Sequence, residues 1–318
     1  MANNQCSNKA PQRVRVGSVQ WQMRPFASTA ELLMLVERQI ATLASYPCDF
    51  AVFPEFFTTP LMALTPELSS HAAMRALAGQ SQLIIDAIAA MALKYNINVI
   101  AGSVPMLEGK RLYNIACLCH RDGRVEQQAK LHPTPGEKKE WDMQGGNVLQ
   151  AFDTDCGRVG VLICYDVEFP ELPRLLAEQG IDILFVPFWT DSKNGYLRVR
   201  LCAQARAIEN EIYVVLAGSV GCMPQVGCLD NQYGQSAVFS PSDFGFPHDA
   251  IVAEASANVE AVLVADLEPA KLANVRVAGS VRNAEDRRRD LYAVKWTGKK
   301  PRAETSPKSK PPAAPRRK

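Results

Sequence analysis

The stretch Arg158-Val159-Gly160-Val161-Leu162-Ile163-Cys164-Tyr165-Asp166-Val167-Glu168-Phe169-Pro170-Glu171 decides how this chain is read. Its first half is apolar and rich in β-branched residues, the composition of a strand buried on both faces. Pro170-Glu171 then opens a helix. The pattern predicts a core strand that ends at Cys164, with the thiol at the carboxyl end, where α/β sheets meet their ligands. That position suits a nucleophile. It suits a packing residue equally, because unpaired cysteine is among the most buried residue types. The flanking segments have to separate the two.

Outward from Cys164, strand and helix signals alternate. Residues 147–154 and 158–164 read as a hairpin turning at Asp155-Cys156-Gly157. Residues 112–120 and 124–131 read as another across Arg121-Asp122-Gly123. Strands are expected at 13–20, 49–53 and 98–104, and helices at 28–45, capped by Ser28, and 81–95. After Cys164 come a helix over 170–179 stopped by Gly180, a strand over 181–188, a helix over 194–210, and strands at 212–219, 235–240, 250–254 and 260–266. Helical crossovers mixed with hairpins predict an α/β fold with mixed pairing. The strands are too many for one compact sheet, so two packed sheets with outer helices are expected.

The 318 residues are 47% hydrophobic, enough for a large core. One domain is expected over 13–297, after a flexible 1–12 and before a disordered, basic, Pro-rich tail over 298–318. Residues 299–318 hold eight Lys/Arg against one Glu, so a net +2 overall leaves the body at −5. With five prolines and little apolar surface, the tail cannot offset its ordering entropy. It reads as solubilising, and nucleic acid is not the expected partner. No apolar run reaches the roughly 18 residues of a membrane span, and the first 15 residues are polar and basic. Nine cysteines without a repeating framework point to a reducing, cytoplasmic setting. Cys117-x-Cys119, Cys222-x5-Cys228 and the scattered His71, His120, His132 and His248 lack metal-ligand spacing, so no metal is expected.

Three polar residues follow apolar strands: Glu55 after Phe50-Ala51-Val52-Phe53-Pro54, Lys130 near the end of the 124–131 strand, and Cys164. Strand ends converge when strands share a sheet. A thiolate is the active form of cysteine and needs a base or cation to activate it. A carboxylate can take the proton, and an ammonium can hold both the thiolate and a later oxyanion. Such a trio suits acyl transfer from a C–N bond without metal or cofactor. A papain-like peptidase is not expected, because neither His132 nor His248 sits in a matching motif.

Four ordered segments resemble the motifs of the nitrilase (carbon-nitrogen hydrolase) superfamily. They are Val52-Phe53-Pro54-Glu55, Lys130-Leu131-His132-Pro133-Thr134-Pro135-Gly136-Glu137, the Gly160–Glu171 segment, and Ala205-Arg206-Ala207-Ile208-Glu209-Asn210 with Tyr213-Val214. The resemblance implies a four-layer αββα sandwich of two mixed sheets with outer helices, assembled as a homodimer or larger. It implies a Glu55–Lys130–Cys164 triad that cleaves a small amide or carbamoyl compound, or a nitrile, through a thioester and without cofactor. It implies a second glutamate shaping the site, Glu137 or else Glu140. Tyr165 offers a backbone N–H to the oxyanion, while Asp166 and Glu168 fix the turn and Arg206 and Glu209 serve as scaffold. Trp189, Thr190 and Tyr196 fall where the family faces its substrate. The loop Lys-x-x-x-Thr-Pro-x-Glu differs from the longer, aspartate- and glycine-rich loops of many omega-amidase and carbamoylputrescine branches. Two other readings stay open: acyl transfer to an amine acceptor, and a non-catalytic interaction protein that uses the basic tail.

Overall fold

The computed structural model describes residues 13–299 apart from Cys228. Its strands are β1 (Val14–Gln22), β2 (Phe50–Val52), β3 (Asn98–Glu108), β4 (Arg111–Cys119), β5 (Val125–Ala129), β6 (Met143–Gln144), β7 (Phe152–Thr154), β8 (Gly157–Val161), β9 (Ile183–Phe188), β10 (Tyr213–Val220), β11 (Ala237–Phe239), β12 (Ile251–Glu254) and β13 (Ala261–Leu267). Its α-helices are α1 (Thr29–Ser45), α2 (Ser70–Tyr95), α3 (Pro135–Trp141), α4 (Glu171–Glu178), α5 (Lys193–Asn210) and α6 (Pro269–Ala278).

The first sheet runs β5-β4-β3-β2-β1-β13, with β6 beside β4. The second runs β7-β8-β9-β10-β11-β12. The two join only where the ends of β1 and β10 pair, at Trp21↔Ser219 and Gln22↔Val220. Elsewhere they stack face to face. The period-2 alternation of strands decides which side chain enters which layer. On β2, Phe50 and Val52 enter the inter-sheet core, where Phe50 meets Phe185 of β9 at 5.0 Å between ring centroids. Ala51 and Phe53 face the other way, toward Leu32, Val36 and Ile40 of α1 and Ile84, Ile85 and Ile88 of α2. Both faces are apolar and buried, so β2 reads as an unbroken hydrophobic run. Leu172 and Leu176 of α4 with Val199 and Ala203 of α5 cover the second sheet, which completes the αββα order.

Several boundaries differ from expectation. β8 stops at Val161, three residues short of Cys164, because the chain bends into a 3₁₀ turn over Cys164–Glu168. α2 begins at Ser70, where Ser69 caps it by accepting from Ala72 N–H. The expected start, Ser81, lies inside the helix, and its hydroxyl donates to the carbonyl of Pro105 at 2.6 Å. At 26 residues α2 is by length and composition apolar enough to cross a membrane, although no unbroken apolar run in it reaches 18 residues. It packs instead on the first sheet and α1 through Ile84, Ile85 and Ile88. Gly298 and Lys299 belong to the folded body rather than the tail, since Lys299 N–H donates to Asn147 carbonyl at 2.9 Å. Residues 1–12 and the rest of the tail lie outside the described residues.

Candidate active site

Glu55 leaves β2 beside a bulge in β3. The register of β3 with β4 shifts between Ile100 and Ser103, and Glu55 bridges to Ser103. Gly102, in the bulge, has φ +52, and a Cβ there would lie 1.9 Å from the Pro54 carbonyl oxygen. Only glycine allows Pro54-Glu55 to approach this closely. Lys130 follows β5. Its backbone is held on both sides, donating to Asn114 carbonyl and accepting from Gly146 N–H, each at 2.8 Å.

Cys164 has φ +49, a left-handed backbone that few non-glycine residues adopt. Such strain persists only where the surroundings enforce it. Here Asp166, two residues on, accepts from the backbone N–H groups of Leu131 (3.0 Å) and His132 (2.8 Å). Arg206 of α5 donates to the carbonyls of Val167 (3.0 Å) and Glu168 (3.1 Å). The turn at Cys164 is thereby fastened to the Lys130 loop on one side and to α5 on the other.

The side chains converge. Lys130 Nζ donates to Glu55 Oε1 and to Glu137 Oε2, both at 2.8 Å. Asn114 Nδ2 donates to Glu55 Oε1 (2.8 Å) and Glu137 Oε1 (3.2 Å), closing a ring of four side chains. The Trp189 backbone joins this ring to the thiol. Its N–H donates to Glu55 Oε2 at 3.0 Å, and its carbonyl lies 3.6 Å from Cys164 Sγ. Exposure is 2% for Glu55 and Lys130, 5% for Glu137 and 6% for Cys164.

Burial of so much charge sets the proton affinities. Burial pushes the Glu55 carboxyl above its usual range, with Glu137 adding repulsion and Lys130 opposing. Burial also pushes the Cys164 thiol well up, and the Glu55 charge adds to it. For Lys130 burial acts to lower the pKa, but Glu137 and Glu55 outweigh it and hold the ammonium well above its ordinary value. Glu137 falls below the usual range: burial acts upward, and the Lys130 charge and hydrogen bond overcome it. The arrangement is a neutral thiol beside a carboxylate of raised basicity, with a permanent cation behind both.

Glu137, not the exposed Glu140, is the second carboxylate of the cluster. It stands at the third position of α3 and forms a capping box: its N–H donates to Thr134 Oγ1, and its Oε2 accepts from Thr134 N–H at 2.6 Å. Asn114 was not anticipated, and nothing in Leu112-Tyr113-Asn114-Ile115 marks it apart from a polar residue in an apolar strand.

The three residues expected near substrate fare differently. The Trp189 ring stacks on Trp141 of α3 (5.8 Å, 7°) and meets Phe56 edge-on (5.6 Å, 87°), forming an aromatic wall beside Glu55. The Thr190 hydroxyl is spent on the Tyr233 carbonyl at 2.7 Å. Tyr196 is 2% exposed, packed on Phe188 and Tyr233, with its hydroxyl 3.2 Å from Gln235. Tyr165 follows Cys164 and meets Phe169, whose ring stacks on His132.

A thiol on a tight turn, facing a carboxylate and an ammonium at the strand ends of an αββα sandwich, is the framework of a nitrilase-type fold. The family profile described as Carbon-nitrogen hydrolase matches residues 15–277. The probable hydrolase YhcX of Bacillus subtilis is 44% identical over 283 residues, covering 89% of this chain and 55% of that protein. This chain thus spans about half the length of that relative. Omega-amidase NIT3 of Saccharomyces cerevisiae is 31% identical over 215 residues, 64% of this chain and 69% of the yeast protein. The crystal structure of yeast Nit3, a nitrilase-superfamily member, superposes with TM-score 0.65 at 26% identity over 84% of this chain and 94% of its own. A carbon-nitrogen hydrolase from Helicobacter pylori G27 shares the fold at TM-score 0.73 and 21% identity, over 88% and 97% of the two chains. The chain belongs to the carbon-nitrogen hydrolase family.

Proposed function

We propose that this chain hydrolyses a small amide or carbamoyl compound, with a nitrile as the next candidate, through a Cys164 thioester and without a cofactor. The observation that carries the reading is the backbone of Trp189, whose N–H donates to Glu55 and whose carbonyl faces the Cys164 thiol. Base and thiol are thus held against the backbone of one residue.

Glu55 takes the thiol proton as sulfur attacks the carbonyl carbon. The Lys130 ammonium and the Tyr165 backbone N–H receive the developing oxyanion. One such donor is worth about 3–4 kcal/mol of transition-state stabilisation. The C–N bond breaks as Glu55 returns the proton to the leaving nitrogen, and ammonia or an amine departs. Glu55 then deprotonates water, which attacks the thioester and releases the acid and the thiol. A carboxylate whose proton affinity burial has raised suits both transfers. Glu137 and Asn114 hold Lys130 and Glu55 in place. Trp189, with Trp141 and Phe56, walls the acyl group, while Thr190 and Tyr196 frame the loop that carries Trp189. The enzyme acts as a homo-oligomer on this reading, which light scattering tests.

The experiment is intact-protein mass spectrometry during turnover of a panel of small amides and nitriles. The expected result is an acyl adduct on the native chain, with neither adduct nor turnover in Cys164→Ala of unchanged fold. Turnover retained by Cys164→Ala ends the proposal.

A further inference from the structure

At the end of the second sheet opposite the triad, the C-terminal ends of α4 and α5 and the segment 284–289 enclose a recess of about 140 Å³. That is space for several waters, and so for a small oxyanion. Four guanidinium groups line it: Arg174, Arg276, Arg287 and Arg289. The acidic residues on its wall are Glu178 and Glu285, so the lining carries a formal +2.

Part of this charge is spent on the fold. Arg276 donates to Asp182 and to the Glu211 carbonyl, each at 2.9 Å. Arg287 donates to Glu178 (2.8 Å) and the Ala284 carbonyl (3.0 Å). The other two arginines keep capacity in reserve. Arg174 donates once, to the Glu209 carbonyl (2.9 Å), and Arg289 once, to the Ala284 carbonyl (3.4 Å). A guanidinium carries five N–H donors, and the remainder of these two forks has no protein acceptor among the described residues. Asn210, also on the wall and 1% exposed, has a side-chain carbonyl oxygen without a partner. Burial, and then the neighbouring Arg287, lower the Arg174 pKa, with Glu209 and Glu178 opposing. The buried Glu211 carboxylate, raised in pKa chiefly by burial, stands behind the segment at Asn283 and Ala284, and Arg276 faces it.

We propose that this recess is a binding site for a divalent oxyanion of the phosphate class, free or as a small phosphate monoester. A dianion matches the two guanidinium groups without an ion-pair partner among the described residues, Arg174 and Arg289, and its several oxygens can accept from both forks at once, the geometry in which arginine binds best. Bound there, it relieves the repulsion between Arg174 and Arg287 and clamps the segment 284–289 to α4 and α5.

The test is calorimetric titration of the full chain with inorganic phosphate, glycerol phosphate and, separately, citrate, with thermal melts in parallel. One saturable site per chain is expected for phosphate or glycerol phosphate, with a melting temperature that rises with ligand concentration by linkage. Arg289→Gln, at an exposed position that leaves folding intact, and Arg174→Gln each weaken binding by about tenfold or more, since each removes a charge-assisted contact. Arg38→Gln, on the exposed face of α1, changes nothing. Absence of saturable binding of either phosphate overturns the site, as does unchanged affinity in both variants. Tighter binding of citrate than of either phosphate overturns the ligand class. None of these readouts passes through amide hydrolysis.

Discussion

Two buried cysteines bracket β8, and their surroundings look alike at first. Cys156 precedes the strand and Cys164 follows it. Each sits near a cation and carboxylates. Arg121 Nη2 lies 3.2 Å from Cys156 Sγ, and Asp155 and Asp49 stand close by. Burial pushes the Cys156 thiol up to about 12, with Asp49 adding and Arg121 opposing. The difference lies in what the carboxylates are free to do. Asp49 and Asp155 pair with Arg121 at 3.1 and 3.2 Å and keep partial access to water. Glu55 is buried with a raised proton affinity, and it accepts from the N–H of Trp189, whose carbonyl faces Cys164. Cys156 also sits in an ordinary turn in the hairpin, whereas Cys164 stands on a left-handed turn at the carboxyl edge. A cation beside a thiol does not by itself make a nucleophile. A desolvated base and an edge position are needed as well.

That contrast can be broken in graded steps. Glu55→Gln keeps the shape but removes the base, so turnover should fall by about 10² to 10⁴, with iodoacetamide labelling of Cys164 slowed in parallel. Undiminished turnover would make the two cysteines equivalent in this respect. Lys130→Met strips the only cation between two buried carboxylates. Breaking a buried pair costs about 3–5 kcal/mol, measured by urea denaturation. The loss should grow as pH rises, because both carboxylates must then ionise without compensation; a pH-independent loss argues against this account.

Asn114→Ala removes one hydrogen bond to each carboxylate, for a cost of about 1–3 kcal/mol. Donors to a carboxylate favour its ionised form, so losing this one raises the Glu55 pKa further. Activity requires the ionised base and is lost as pH falls through that pKa, so the acid limb of kcat/KM should move to higher pH. A limb displaced to lower pH would contradict the proposed role. The smallest effect is expected at the other cysteine. Cys156→Ala should leave turnover and the rate of iodoacetamide labelling at Cys164 unchanged, at a stability cost of about 1 kcal/mol.

Much of this was legible in the sequence because the deciding signals are local. The strand compositions, the Ser28 cap, the turn at Arg121-Asp122-Gly123 and the place of Lys130 directly after β5 sit where expected. The position of Cys164 was only half legible. Its apolar approach reads as strand to the last residue, but the left-handed bend depends on Asp166 and Arg206 reaching partners 34 to 39 residues away. α3 was missed although its start is written in Thr134-Pro135-Gly136-Glu137, a capping-box spacing. That signature also distinguishes Glu137 from Glu140. Asn114 and Trp141 carry no such local mark. Their roles arise from pairings between strands and between helices, which a linear pattern does not encode.

The bulge at Gly102 has a consequence for anyone mapping this chain by mutation. Its missing side chain is the clearance through which the Pro54 carbonyl passes, at what would be 1.9 Å. Even Gly102→Ala must displace Pro54, and Glu55 is the next residue. A substitution scan scored by turnover alone will therefore rank position 102 with Glu55, although its own contact is with the Pro54 carbonyl. Read beside a scan scored by abundance, the same position reports how finely the base is aimed.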